Sequence, residues 1–406
     1  MTSITLFRNL TVAVSLGLAM QFLVIAQPER KENVMHFPHY TVTDLGVLDA
    51  GTNASAFDMN NVGWAAGSSN LTPGGPQHAF VWYGRGGLRD LGTLGGVACP
   101  MCNSAADGPN LLGQAAIGSE ISLPDPDGED FCAYGTHLQC RGVVSRDGKL
   151  VALRNLPEGR NANAFGINDL GQLVGFAENG ARDPTCAATT PFQVFQFEAV
   201  LWEPDGEIRE LQPLTKKGDT VAFAMGINNF GQVVGSSGTC ATQGLPPLYV
   251  TGLHAVMWDR DGTPTYLGTL GDTTHTASNN ASSINNLGQV VGTSQFTDGT
   301  IHSFLWSKST GMRGLESLPG AFATVAGCCR TINDYGAVVG FAFDDLGMHA
   351  VVWINGHISD LNALIPSNSP LYLLGAYSIN DAGQIVGQGC MLPACTEFHA
   401  FLATPE

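Results

Sequence analysis

The sequence predicts an all-β chain of seven four-stranded antiparallel blades, a seven-bladed β-propeller closed by an N-terminal strand that completes the last blade. Three observations predict it. One motif recurs seven times at the period of a propeller blade. The composition is poor in charge (13% Asp, Glu, Lys and Arg) and rich in glycine (51 of 406 residues), as short strands joined by many turns require. The last copy of the motif stops after its third strand, and a segment with the character of a fourth strand stands near the start of the chain.

The motif reads Ile-Asn-x-x-Gly-Gln-Val-Val-Gly, a variable stretch, His-Ala-Phe-Leu-Trp, a glycine turn and Leu-Gly-Thr-Leu-Gly. Its clearest copy runs from Ile284 to Gly292, continues at His302–Trp306 and ends near Leu315 to Leu318. The last glycine of the first element marks the register, at Gly67, Gly113, Gly175, Gly235, Gly292, Gly340 and Gly387, with spacings of 46, 62, 60, 57, 48 and 47 residues. The second copy is degenerate: Ala105-Ala106-Asp107-Gly108-Pro109 stands where the Asn and turn glycine are expected, and Ser145 replaces the Trp.

Each element follows from local chemistry. The first strand ends at the Asn. Asn-x-x-Gly is a tight turn, with Asn bonding its own backbone and Gly supplying a positive φ. Gln-Val-Val-Gly is the second strand and His-Ala-Phe-Leu-Trp the third. A second turn, such as Asp205-Gly206 or Asp261-Gly262, leads to the fourth. Strands two and three are apolar on both alternation faces, as stacked blades need. The seventh copy ends at His399–Ala403, and Tyr40–Leu48 reads as its missing strand; pairing them removes a free edge.

The recurring side chains read as structural. His78, His254, His302, His349 and His399 sit on third strands, about 10 Å outside the inner strands, too far from the axis to share one ion. A hydrogen bond at the loop–strand junction is expected of them. The repeated Asn is expected to be a turn cap. Trp82, Trp202, Trp258, Trp306 and Trp353 are expected to pack between blades, with the marker glycine making room.

These residues resemble the extracellular HAF-repeat proteins. The element that names that family is present as His78-Ala79-Phe80 and His399-Ala400-Phe401, with variants at His254-Ala255-Val256, His302-Ser303-Phe304 and His349-Ala350-Val351. The resemblance extends from about Tyr40 to Ala403. It implies export and a repeat fold, and it brings no reaction, ligand or catalytic residue. The second and third copies depart from it, with Arg141 and Glu198 where His is expected.

Residues 1–26 read as a signal peptide: Arg8 is the basic end, Leu10–Ile25 the apolar run, and Val24-Ile25-Ala26 a cleavage site. Residues 27–39 read as a linker and 40–406 as one propeller domain. No other segment is long and apolar enough to span a bilayer, so no stable membrane anchor is expected after cleavage. A net charge of −17 argues against nucleic acid and anionic membranes as partners.

Ten cysteines, an even number, fit an oxidising compartment. Cys99, Cys102, Cys328 and Cys329 fall in links between blades. Cys132, Cys140, Cys186, Cys240, Cys390 and Cys395 fall in loops after second strands. Both kinds of segment belong to one face, called the top here. Cys99–Cys102, Cys132–Cys140, Cys390–Cys395 and Cys186–Cys240 are the expected pairs.

The same face carries the functional expectation. From marker glycine to third strand takes 28, 23 and 19 residues in copies two to four and only 9 to 12 elsewhere. Long loops on a rigid scaffold suggest a binding edge over blades two to four; tolerated insertion is the competing reading. Asp125, Asp127 and Asp130, around Gly128, form a partial calcium-loop pattern, with a solvated acidic loop as the alternative. No other cofactor is indicated. The inner strands show two charged residues, Asp58 and Arg330, and no carboxylate pair for glycoside hydrolysis. The sequence therefore favours an exported, non-catalytic binding scaffold for an unidentified protein or glycan, in the periplasm, at the cell surface or outside the cell. An extracellular hydrolase or lyase built on top loops and a cell-surface or matrix structural protein are the alternatives.

Overall fold

A computed structural model describes residues 37–182, 193–240, 250–271, 279–296, 300–327 and 329–406. Among the described residues the repeat folds into 28 strands of three to ten residues, as its turn spacing demands. Unit one comprises Ala54–Met59, Ala65–Asn70, Gln77–Trp82 and Arg89–Gly92. Unit two comprises Ser104–Asp107, Ala116–Pro124, Leu138–Arg146 and Lys149–Ala152. Unit three comprises Ala162–Ile167, Leu173–Arg182, Phe195–Trp202 and Ile208–Leu211. Unit four comprises Val221–Ile227, Val233–Cys240, Val250–Trp258 and Pro264–Tyr266. Unit five comprises Asn279–Ile284, Val290–Gln295, Ile301–Ser307 and Gly311–Gly314. Unit six comprises Ala323–Ala326, Val338–Asp344, Gly347–Ile354 and His357–Asp360. Unit seven joins Leu371–Ile379, Ile385–Met391 and Phe398–Pro405 to the first described strand, Tyr40–Gly46. Within each unit neighbouring strands are antiparallel. One parallel pair, His302 with Thr324, merges units five and six into one eight-stranded sheet, the other units are four-stranded sheets, and an isolated parallel bridge joins Asn53 to Phe398. The architecture is all-β and propeller-like.

The repeated Asn does more than cap its turn. In the turn of unit five, Asn285 Oδ1 accepts from Leu287 N at 3.1 Å and Gln289 N at 2.9 Å. That is the expected cap. Its Nδ2 then donates to the carbonyl of Asn333, the corresponding residue of unit six, at 2.9 Å. The same bond recurs from Asn60 to Asn110, Asn110 to Asn168, Asn168 to Asn228 and Asn228 to Asn285, each at 3.1 Å. It continues from Asn333 to Asn380 at 3.0 Å and from Asn380 back to Asn60 at 3.2 Å. Seven bonds therefore run in a cycle through all seven units.

This cycle corrects the reading of the second copy. Its Asn and turn glycine are not lost: they are Asn110 and Gly113, displaced along the chain by Gly108-Pro109. Gly113 is a turn glycine with φ of +73°, and the marker position is Ile117. The physical reason lies in the first strands. Those of units one, three, four, five and seven shift register through a bulge opposite the marker. The bulge drives a carbonyl against the second strand: a Cβ on Gly235 would lie 2.0 Å from Phe223 O, and one on Gly67 would lie 1.9 Å from Ser55 O. Unit two pairs Ala106 with Ile117 without a register shift, so a side chain fits there. The marker glycine thus makes room for backbone, and not for the Trp as expected.

Packing between units buries the Trp side chains. Trp202 packs with Ala116, Val144 and Leu156 of the preceding unit, and Trp202, Trp258 and Trp353 are fully buried. Each removes on the order of 200 Å2 from water, about 5 kcal/mol of transfer free energy before entropy. The indole N–H groups are satisfied by the preceding unit: Trp202 by Arg154 O at 2.7 Å, Trp258 by Gln212 O at 2.9 Å and Trp353 by Glu316 O at 2.8 Å. Trp82 bonds Gly86 O in its own turn, and Trp306 packs between units four and five.

The His side chains make the hydrogen bonds expected at this junction. His78 meets Asp90 at 3.0 Å, His254 meets Asp219 at 2.9 Å and His399 meets Asp44 at 2.9 Å. His349 meets Tyr372 Oη at 2.5 Å and His302 meets Ser317 Oγ at 3.3 Å. The His399–Asp44 contact ties Tyr40–Gly46 to the last strand through side chains as well as backbone. Disulfides join Cys99 to Cys102, Cys132 to Cys140 and Cys390 to Cys395, which points to an oxidising compartment. The expected Cys186–Cys240 pair involves Cys186, which lies outside the described residues, as do Cys328 and the signal segment. Among the described residues no helix is long and apolar enough to cross a membrane.

Candidate functional site

The five bulges have a second consequence. They leave Phe57, Phe165, Met225, Ser282 and Tyr377 outside the strand pairing, each three residues before the repeated Asn. In units two and six that same position holds Asp107 and Arg330. The next position is Gly108, Gly166, Gly226, Ser283, Thr331 or Ser378, with Asp58 the one large exception. Small residues let first strands approach closely: a Cβ on Gly166 would lie 3.0 Å from Met225 O.

Arg330 fills the middle. Its guanidinium donates to Met59 O of unit one at 3.2 Å and to Ile167 O of unit three at 3.1 Å, and it lies 3.9 Å from Asp58. Asp58 also accepts from Ser378 Oγ at 2.8 Å and Gly108 N at 3.2 Å. Asp107 is buried and takes a hydrogen bond from the Cys329 thiol at 3.0 Å. Burial, with the Asp58 charge adding to it, pushes the Asp107 carboxyl up to about 7 against the pull of that thiol bond. Asp107 is a central charged group that the sequence reading missed, because the displaced turn of unit two hid its register.

Above Arg330, towards the top face, an apolar recess of about 380 Å3 is lined by Phe57, Met225, Val325, Phe341, Met348 and Tyr377, with Asn280, Ser282 and Thr293 at its polar side. Phe57 and Tyr377 stand 6.0 Å apart between ring centroids. Phe57 also lines a second, larger cleft of about 550 Å3 between units seven, one and two. This cleft is polar and uncharged: Asn53, Ser55, Ser68, Asn70, Gln77, Asn103, Tyr134 and Gln388 face it. Its amides are held in place. Gln388 Nε2 donates to Asn53 Oδ1 at 2.8 Å and Ser55 Oγ at 2.7 Å. Asn70 Oδ1 accepts from Thr52 N and Asn53 N, both at 2.9 Å, and Asn103 Oδ1 accepts from Gln77 N at 2.9 Å. Burial raises the Tyr134 phenol well above its ordinary range, so it stays a neutral donor. Among the described residues, no Asp, Glu, Lys or Arg lines either the cleft or the recess.

The other expected sites fall elsewhere. Asp125 Oδ1 accepts from Asp127 N at 2.9 Å and Glu129 N at 3.1 Å, and its Oδ2 accepts from Asn161 Nδ2 at 2.9 Å. Asp127 is ion-paired to Arg160 and, at 2.8 Å, to Arg182. Asp130 accepts from Gly135 N at 2.8 Å. The three carboxylates turn to separate partners, and among the described residues no group of three or more His, Cys, Asp or Glu is arranged to hold a metal. The loop that carries them is not an open edge. Glu129 receives Val194 N and Phe195 N of unit three, and Phe131 packs 4.8 Å from Phe176. Burial and the neighbouring Glu178 push the Glu129 carboxyl well above the ordinary carboxylate range. Much of the enlarged loops of units three and four, 183–192 and 241–249, lies outside the described residues.

No family model and no curated protein matches the chain. Among solved structures it is similar to a puromycin hydrolase (TM-score 0.45, 11% identity, 88% of this chain and 50% of that one). It is similar also to an ulvan lyase (TM-score 0.42, 12% identity, 91% and 95%) and to the Aleuria aurantia lectin bound to a fucosylated sugar (TM-score 0.39, 10% identity, 81% and 99%). The chain spans half the length of the hydrolase.

Proposed function

We propose that the seven units form one closed seven-bladed β-propeller, of the HAF-repeat type and exported, that serves as a non-catalytic binding scaffold. The cycle of Asn bonds and the pairing of Tyr40–Gly46 with Phe398–Pro405 support closure. The ligand seat is the top cleft between units seven, one and two, in place of the edge over units two to four that loop length suggested.

The observation that carries this reading is the chemistry of the cleft. A concave site of about 550 Å3, walled by pre-oriented amides and hydroxyls and bordered by the Phe57 ring, suits an uncharged, polyhydroxylated ligand. A neutral glycan segment has that character: hydroxyls for the amides and an apolar ring face for Phe57. Hydrolase and lyase readings have less support, since among the described residues no carboxylate lines the cleft for acid–base work. The test is titration of the full chain with a panel of neutral and acidic oligosaccharides, repeated with Gln388→Ala and Asn53→Ala. Binding confined to neutral glycans and weakened about tenfold or more by either substitution supports the seat. Binding that ignores both substitutions, or bond cleavage of a bound glycan, overturns it.

A further inference from the structure

We infer that the bottom face, where the Asn turns lie, is a docking surface for a segment of another protein that presents a Lys or Arg among apolar side chains. The inference is independent of the top cleft.

The second residue after the repeated Asn is large and apolar in six of the seven turns. It is Val62, Leu112, Leu170, Phe230, Leu287 or Tyr335, with relative exposures of 58%, 66%, 61%, 65%, 70% and 79%. None of the six belongs to a buried cluster, and the turn itself asks for no apolar group there; Asp, Asn, Ser or Gly would serve it. The Asn cycle ties these turns side by side, so the side chains form a collar. Together they expose on the order of 700 Å2, more than the largest apolar patch of an ordinary monomer and close to one side of a standard interface.

Inside the collar the surface is acidic. A second series of bonds joins the residues just after each Asn: Asp381 N to Asn61 Oδ1 at 3.0 Å, Asp334 N to Asp381 Oδ1 at 2.9 Å and Asn286 N to Asp334 Oδ1 at 2.8 Å. Asp169, Asp334 and Asp381 therefore ring an axial opening. Arg330, at the floor of that opening, is offset by Asp58 and by two backbone carbonyls. The turns themselves contain no Lys or Arg.

Charge decides the occupant. A second copy docked face to face would set acid against acid, between chains of net charge −17. An anionic membrane is opposed for the same reason. A partner segment with a cation at its apex and apolar neighbours satisfies the opening and the collar together.

The test uses the full chain and three synthetic peptides that alternate Leu with Lys, with Glu or with Ser, read by fluorescence anisotropy. Two variants accompany it. One is Leu170→Ser/Phe230→Ser/Leu287→Ser, at exposed positions. The other is Asp169→Asn/Asp334→Asn/Asp381→Asn, since Asn already holds the equivalent position in units one, four and five. The Lys peptide is expected to bind, to weaken with salt and to lose about tenfold or more in each variant, while the Glu and Ser peptides do not bind. The inference is overturned if the Lys peptide fails to bind or binds both variants unchanged. It is overturned equally if the Ser peptide binds as well as the Lys peptide. Sedimentation showing a dimer that the Ser variant abolishes, or flotation with phosphatidylcholine vesicles, would assign the face to another occupant.

Discussion

Replacing Asn285 by Asp separates the two duties of the repeated Asn. Asn285 is almost fully buried (4% exposed). Its Oδ1 accepts two backbone N–H groups of its own turn, and its Nδ2 donates to Gln289 Oε1 at 2.7 Å and to Asn333 O at 2.9 Å. Aspartate keeps both acceptor bonds and is as good a turn cap as asparagine. It removes both donated bonds, at about 1 kcal/mol each, and leaves its own second carboxylate oxygen buried against two acceptors, at about 1–3 kcal/mol more, while the Asn333 carbonyl keeps its bond from Gly336 N. Asn285→Asp should therefore lose about 3–5 kcal/mol in urea unfolding at neutral pH with disulfides intact. Asn285→Ala, which forfeits all four bonds, should lose more. If the Asp variant unfolds within about 0.5 kcal/mol of the parent, the residue is a cap only and the inter-unit tie carries no energy.

The marker glycines make a second prediction: Gly235→Ala sets a methyl 2.0 Å from Phe223 O and should cost about 3 kcal/mol or more, or prevent folding, as judged by thermal melting. Asp107 predicts a pH effect. Its folded carboxyl titrates near 7, above its unfolded value, so its contribution is full below about pH 4 and is lost as pH rises towards 7. Asp107→Asn should therefore gain on the parent between pH 5 and pH 8 in denaturant midpoint, and a constant difference across that range would refute the assignment. Trp258→Phe deletes the bond to Gln212 O and part of a fully buried side chain, and should lower stability by about 2–4 kcal/mol; a loss below about 1 kcal/mol would show that units three and four are not coupled there.

What the sequence discloses is what short spacing can carry. Six of the seven turns, the strand alternation and the neighbouring Cys pairs arise within one repeat, so the pattern exposes them. Position along the chain fails where an insertion moves the register, as Gly108-Pro109 moves Asn110 and hides Asp107. It fails also where one atom acts across units. The Oδ1 of Asn285 serves its own turn, whereas its Nδ2 serves a residue 48 positions away. The aromatic recess had a usable signal, a constant offset of three residues before the Asn, but only the bulge explains why that position leaves the strand. The cleft had none: Asn53, Asn103, Tyr134 and Gln388 look like loop and edge residues until the units meet. The pairing of Asp127 with Arg160 and Arg182 was not legible in the acidic loop, because both arginines stand far along the chain.

Hydrogen–deuterium exchange of the full chain addresses ring closure most directly. With Tyr40–Gly46 zipped along Phe398–Pro405, from Tyr40 opposite Pro405 to Gly46 opposite Ala400, peptides covering both segments should be protected as strongly as interior strands and should open together. Residues 40–46 exchanging at the rate of a free chain, while 398–405 stay protected, would contradict it.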